Sequence, residues 1–243
     1  MNICNLGRIS YRKALNIQNQ LVDLVQRKAI LNTILICEHY PVYTFGRRQN
    51  LDDSLSAIAD TVKVQRGGQT TYHGPGQLVL YPIVNLQSLH LGVKDYVHRL
   101  EEIVIKTLKM HGIYGHRSST NGVFVNNNKI SAVGVHVQRF VTSHGLSLNV
   151  NKTVLPWFKR IVPCGLRNIE TTCIESILNK EISLSLIEAQ LIQNLESDWN
   201  VKGNHLTLET LLDDDICINP LFNPMMPGNL ISNQFEDDDD EGW

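Results

Sequence analysis

The chain has 243 residues, of which 42% are apolar and 19% charged, a composition that excludes a wholly disordered protein. At this length a chain buries enough surface to fold without disulfides or a structural metal. The net charge of −2 is unevenly spread: residues 236–241 hold six acids, and without them 22 cations face 18 acids, a mildly basic body that suits acidic partners but lacks the strongly basic footprint of a nucleic-acid binder.

In chain order, the first 22 residues contain no acid and carry Arg8, Arg12 and Lys13. That composition fits a mitochondrial address and also an ordinary helix, and it does not read as a secretory signal. Ala14, Ile17, Leu21, Leu24 and Val25 recur at three- and four-residue steps, which predicts an amphipathic helix over 11–29 with Ser10 as its N-cap. Residues 33–38 predict a buried strand, 42–45 an extended piece and 62–66 an alternating strand running into Gly67-Gly68. Residues 77–86 form a further strand candidate in which Pro82 calls for an edge or a bulge. Val97, Leu100, Val104 and Leu108 predict a helix over 94–111. Residues 121–125 and 129–137 flank Asn126-Asn127-Asn128 and read as a hairpin, with β-rich stretches at 140–143 and 146–150. Ser185-Leu186-Ile187-Glu188 is a capping-box pattern opening a helix to about 199. Strands in the middle with helices around them predict an α/β fold, a mixed sheet flanked by helices on one side or both.

No apolar run approaches the ~18 residues of a membrane span. The cysteines Cys4, Cys37, Cys164, Cys173 and Cys217 are odd in number, widely spaced and without a CxxC pair, so they are neither a disulfide framework nor a zinc ribbon, and a reducing compartment is the natural setting.

Three segments are dense in glycine and polar residues. Arg66-Gly-Gly-Gln-Thr-Thr-Tyr-His73-Gly-Pro-Gly-Gln77 has glycines that let backbone approach a ligand and expose N–H groups to a carbonyl oxygen or phosphate, though no P-loop pattern is present. Its plain alternative is a hairpin turn. Lys129 opens the apolar stretch Lys129-Ile-Ser-Ala-Val-Gly134, where a lysine either serves a site or snorkels to water. Cys164 lies between Pro163 and Gly165, a turn setting open to a reactive thiol or to a buried small hydrophobe. His144, before Gly145-Leu146-Ser147, adds a polar group to the same region.

Together these segments resemble the lipoyl(octanoyl) transferase family. The matching stretches are RGGQTTYHGPGQLVLYP (66–82), NKISAVGVHV (128–137), TSHGLSLNV (142–150) and VPCGL (162–166), with weaker likeness at 6–18 and 41–46, so that the resemblance covers roughly residues 4–200. It implies a biotin/lipoate protein ligase-like fold of the class II aminoacyl-tRNA synthetase and biotin synthetase type. A single catalytic domain is expected over 1–228, acting as a monomer; the acidic tail over 229–243 has no counterpart in the resemblance, and its run of like charges predicts that it is disordered. By the same resemblance Cys164 is the nucleophile and Lys129 the group that activates it and moves protons. Arg66, Gly67, Gly68, Gln69, Thr70, Thr71, Tyr72 and His73, then Ala132, Val133 and Gly134, then His144, Gly145, Leu146 and Ser147, line the acyl substrate site.

The implied activity is transfer of an octanoyl group from octanoyl-acyl carrier protein to a specific lysine of lipoyl domains through a cysteine thioester. The acceptors are 2-oxoacid dehydrogenase complexes and the glycine cleavage H protein. No ATP, metal, nucleic acid or membrane takes part. The expected location is the mitochondrion, with the bacterial cytoplasm as the alternative. A thiol of pKa about 8.5 is only a few per cent ionised at neutral pH, so a neighbouring ammonium is the physical requirement behind the Cys–Lys pair. Two other classes share the fold: an ATP-dependent ligase, which needs no Cys164, and a non-catalytic lipoyl-domain binder, which needs neither Cys164 nor Lys129. Cys173 reads as a buried small side chain or a resolving thiol.

Overall fold

A computed structural model describes residues 1–47, 49, 53–161 and 170–212. Cys164 and the acidic tail therefore lie outside the described residues. The chain opens with strand β1 (Asn2–Ile9) and helix α1 (Tyr11–Gln26), then β2 (Thr33–His39), β3 (Val42–Phe45), a short α2 (Asp53–Ser56), β4 (Asp60–Lys63), β5 (Thr71–His73) and β6 (Gln77–Ile83). Helix α3 (Val93–Lys109) leads to β7 (His116–Arg117), β8 (Gly122–Val125), β9 (Asn128–Gln138) and β10 (Val141–Asn149). A 3-10 turn (Lys152–Val154), α4 (Leu155–Phe158), α5 (Ile174–Leu178), α6 (Leu184–Trp199), β11 (Asn204–His205) and α7 (Leu208–Leu212) complete it.

Among the described residues the strands form an eight-stranded mixed sheet, β11-β1-β2-β6-β10-β9-β8-β7, and a three-stranded sheet, β4-β3-β5. Side-chain alternation divides the large sheet into two faces. Ile34 and Ile36 of β2 and Leu78 and Leu80 of β6 join the cluster under α3 and α6, with Leu100, Ile103, Val104, Leu191 and Leu195. Leu35 and Cys37, with Val79, Tyr81 and Ile83, join the cluster under α1, with Ala14, Ile17, Leu21 and Val25. Helices thus cover both faces, and a strand buried on both sides is continuously apolar, as residues 34–37 are. A third cluster, around Tyr43, Phe45, Tyr72 and Phe158, lies between the small sheet and α4.

The elements depart from the expectations at identifiable places. Ser10 caps α1 as expected, its side chain accepting from the Lys13 N–H, and the helix ends at Gln26. The strand expected over 62–66 is β4, earlier by two residues, where it pairs in parallel with β3. The stretches at 140–143 and 146–150 are one strand, β10, joined to β9 by a turn in which Arg139 and Phe140 both have positive φ, the geometry that matches strand twist in a two-residue hairpin. Helix α6 begins two residues before the expected capping box: Ser183 is the N-cap position, and Ser185 lies inside the helix.

Pro82 is neither at an edge nor at a bulge. Strand β6 lies between β2 and β10, and its ladder with β10 ends at Leu80–Leu146. Contact resumes where the Thr142 N–H donates to the Val84 carbonyl at 3.0 Å and Asn85 bridges Val141. No residue is inserted across this gap, so the register is the same on both sides. The partner strand absorbs the missing donor: His144, facing Pro82, adopts φ +58°, and its N–H donates to Gln18 Oε1 of α1 at 2.8 Å.

Candidate active site

A cavity of about 400 Å³ lies on the α1 side of the large sheet, with the small sheet and the 66–73 segment as its opposite wall. Its floor is the ladder of β9 and β10, where Ser147 faces Ala132, Gly145 faces Gly134 and His144 faces Val135. The glycine pair keeps this floor bare. A Cβ on Gly134 would sit 3.1 Å from Arg66 Cδ, and one on Gly145 would sit 2.2 Å from the Leu80 carbonyl oxygen.

The opposite wall is held by Arg66. Its side chain is buried, and its two terminal nitrogens donate to the Gly67 and Gln69 carbonyls and to Thr44 carbonyl and Oγ1, at 2.7–3.1 Å. The guanidinium thus works from inside the loop, shaping the glycine-rich segment. Thr71 and His73, two residues apart on β5, share the face that lines the cavity.

Of the residues singled out in the sequence, Arg66, Gly67, Gly68, Gln69, Thr71, His73, Lys129, Ala132, Val133, Gly134, His144, Gly145, Leu146 and Ser147 line this one cavity. Thr70 and Tyr72 do not. Tyr72 follows strand alternation to the other side of β5, where its ring stacks on Trp157 at 5.1 Å, and Thr70 Oγ1 donates to Gln49 at 2.7 Å. The lining also includes Tyr11, Val79, Tyr81, Thr120, Asn121 and Val135, none of them among the residues expected to line the substrate site.

Lys129 lies at one end of the β9 stretch that lines the cavity. Only 7% of it is exposed, so it does not snorkel to water. Its Nζ donates to the Asn121 carbonyl at 2.8 Å and lies 5.5 Å from the centre of the Phe124 ring, a cation–π distance. Its main chain is held as well: the Lys129 N–H donates to the Glu170 carbonyl at 2.8 Å, and the Thr172 N–H donates to the Lys129 carbonyl at 2.9 Å.

The far end holds a buried group of rings. Tyr11 OH lies 3.4 Å from His144 Nδ1, the Tyr11 ring stacks on His73 at 5.7 Å, and His39 Nε2 lies 2.7 Å from Tyr81 OH. Gln77 Nε2 donates to Asn149 Oδ1, which leaves Gln77 Oε1 to accept from His73 Nδ1 at 2.7 Å and makes Nε2 the acceptor of a neutral His73 ring. Burial first, then the Arg66 and His136 charges, pushes His144 down to about 3. Burial also pushes His39 down to about 4 and, with His39 beside it, holds His73 well below the usual range. These rings are neutral at physiological pH. Cys173, nine residues beyond Cys164, is fully buried, and its Sγ donates to Ser176 Oγ.

The chain belongs to the lipoyl protein ligase A/B catalytic-domain family, whose model matches residues 10–196. Solved structures give the same fold. A putative lipoate protein ligase from Thermoplasma acidophilum with bound lipoic acid superposes with a TM-score of 0.67 at 12% identity, covering 89% of this chain and 92% of that one. A biotin protein ligase from Aquifex aeolicus superposes with a TM-score of 0.53 at 15% identity, covering 82% of this chain and 70% of that one.

Among curated proteins, a mitochondrial octanoyl-[acyl-carrier-protein]:protein N-octanoyltransferase from Danio rerio is 43% identical over 81% of this chain and 91% of its own length. An octanoyltransferase from Alkaliphilus metalliredigens is 40% identical over 82% of this chain and 95% of its own length. Within the family, then, the chain is a member of the octanoyltransferases.

Proposed function

We propose that this octanoyltransferase carries its acyl group on Cys164 and delivers it to one lysine of a lipoyl domain, the first step of endogenous protein lipoylation. The thiolate attacks the thioester carbonyl of octanoyl-acyl carrier protein, the new C–S bond forms, the bond to the carrier's sulfur breaks, and the carrier's thiolate leaves with the proton of the Lys129 ammonium, so that the lysine is neutral for the second step. The acceptor lysine then attacks the Cys164 thioester, the amide bond forms, the thiolate is released, and Lys129 takes the proton the amine gives up. Main-chain N–H groups of the glycine-rich segment are the candidate donors to the oxyanion, each worth roughly 3 kcal/mol in the barrier by analogy with other oxyanion holes. Conversion of a thioester to an amide runs downhill, so the reaction needs no ATP, and the steps above call on no metal.

The observation that carries the reading is the buried ammonium of Lys129, at one end of the cavity and tied through its own backbone to residues 170–172. Cys164 is six residues before Glu170 and three after Ile161, which packs in the cluster of Tyr43 and Tyr72. The three β9–β10 steps from Ala132–Ser147 to Val135–His144 span about 10 Å, comparable to an extended eight-carbon chain. We assign the working location to the mitochondrion, with the bacterial cytoplasm as the alternative, and the catalytic domain to residues 1–228.

The test is an intact mass after mixing the protein with octanoyl-acyl carrier protein without ATP. The expected result is a gain of one octanoyl group, absent in Cys164→Ala and discharged by an apo lipoyl domain. Transfer that appears only with ATP and free octanoate, with no adduct on the wild type, would reject this route in favour of a ligase.

A further inference from the structure

We infer that Glu101 is a positioning residue for Lys129, acting through a single peptide group; the inference rests on the role proposed for Lys129 above. The peptide that joins Asn121 to Gly122 makes both contacts. Its carbonyl accepts from Lys129 Nζ at 2.8 Å, and its N–H donates to Glu101 Oε1 of α3 at 2.7 Å. In a trans peptide these two groups point in opposite directions, so one rigid unit spans from the helix layer to the cavity.

Gly122 permits the arrangement. Its φ is +129°, and a Cβ there would lie 2.3 Å from the Ser131 carbonyl oxygen and 2.7 Å from Lys129 Cε. Glu101 is 3% exposed, and its other oxygen, Oε2, lies 3.2 Å from Arg117 Nε. Arg117 in turn reaches Glu102 Oε2 at 2.6 Å and the His98 carbonyl at 2.9 Å, which fixes its guanidinium on α3. The sequence of groups is guanidinium, carboxylate, peptide, ammonium.

A neutral oxygen would satisfy the Gly122 N–H equally well. A buried carboxylate there carries a desolvation cost that Arg117 only partly offsets. What the carboxylate adds is negative charge behind the peptide. It polarises the unit toward the Asn121 oxygen and strengthens that oxygen as the acceptor of the Lys129 ammonium, since hydrogen bonds in series reinforce one another. The ammonium is thereby held in one orientation at the end of the cavity.

The experiment compares wild type, Glu101→Gln and Arg117→Gln in single-turnover loading from octanoyl-acyl carrier protein, read by intact mass, with thermal unfolding alongside. Glutamine keeps an oxygen for the Gly122 N–H and removes the charge. The loading rate constant of Glu101→Gln should fall about tenfold at saturation, with the half-saturating donor concentration changed less than about twofold. Its unfolding midpoint should stay within about 3 °C of wild type. Arg117→Gln should show a smaller loss in the same rate constant. A wild-type rate constant in Glu101→Gln, or a loss confined to half-saturation or following the unfolding midpoint, overturns the inference. If Glu101→Gln does not fold, Arg117→Gln decides by the same criteria. A wild-type protein that takes up no octanoyl group fails at the earlier step and overturns the reading of Cys164 and Lys129 on which this inference rests.

Discussion

Stability should fall steeply on mild acidification, because three buried histidines must stay neutral in the fold. In the unfolded chain each titrates near 6.5. In the fold His39 titrates at about 4, His144 at about 3 and His73 well below its usual range, in each case chiefly through burial. Well above pH 6.5 both states are neutral and the difference vanishes. Below it the unfolded chain binds protons that the fold refuses, so stability decreases as pH decreases. At pH 5 His39 and His144 each cost about 2 kcal/mol, and His73 adds to the loss in the same direction, together a large part of the 5–15 kcal/mol that holds a typical domain. Urea unfolding at pH 7.5 and pH 5.0 measures the difference directly. His144→Asn is the informative variant: asparagine tolerates the positive φ of this position, while one proton is removed from the linkage, so the acid-induced loss should shrink by about 2 kcal/mol. A loss below about 2 kcal/mol in wild type, or an unchanged pH slope in His144→Asn, would refute the reasoning.

Three other outcomes are expected. Gly46→Ala places a Cβ 1.9 Å from the Gly68 carbonyl oxygen and should displace the 66–68 wall, lowering both the unfolding midpoint and acyl loading, whereas Gly67→Ala meets nothing within 4 Å and should match wild type in stability. Tyr11→Leu opens the far end of the cavity and should raise loading of decanoyl relative to octanoyl donors, by up to about fourfold per methylene if each is worth ~0.8 kcal/mol; an unchanged ratio in competition would remove Tyr11 from length selection. Native alkylation should leave Cys4, Cys37 and Cys173 unmodified, since all three are buried and burial pushes the Cys4 and Cys37 thiols up, while peptide mapping after denaturation should find them labelled.

What the sequence disclosed follows from how local each signal is. Strands β2 and β6 and helix α3 are visible because each carries its own period of apolar residues, and the β8–β9 turn because Asn126 takes a positive φ. Strand β1 goes unread because Asn5, Gly7 and Arg8 interrupt its alternation where its register with β2 shifts. Strand β5 is three residues long inside a glycine-rich stretch, and β11 is two residues paired to the edge of β1. The floor of the cavity is legible because adjacent strands contribute contiguous motifs. Thr120 and Asn121 are not, because they lie outside those stretches and reach the cavity from the turn that precedes β8. Glu101 is further removed still: it reads as one polar position on an amphipathic helix, and only the fold brings it to the Gly122 N–H.

The grip on Lys129 bears on how mutagenesis there is read. Residues 170–172 hold position 129 through its N–H and carbonyl, not through its side chain. Any replacement except proline therefore keeps this anchor for the segment that follows residues 162–169. Lys129→Ala and Lys129→Met subtract the ammonium and leave this main-chain anchor standing. Lys129→Pro would remove the donor to Glu170 and release the segment, a loss of architecture that kinetics alone would mistake for loss of the ammonium.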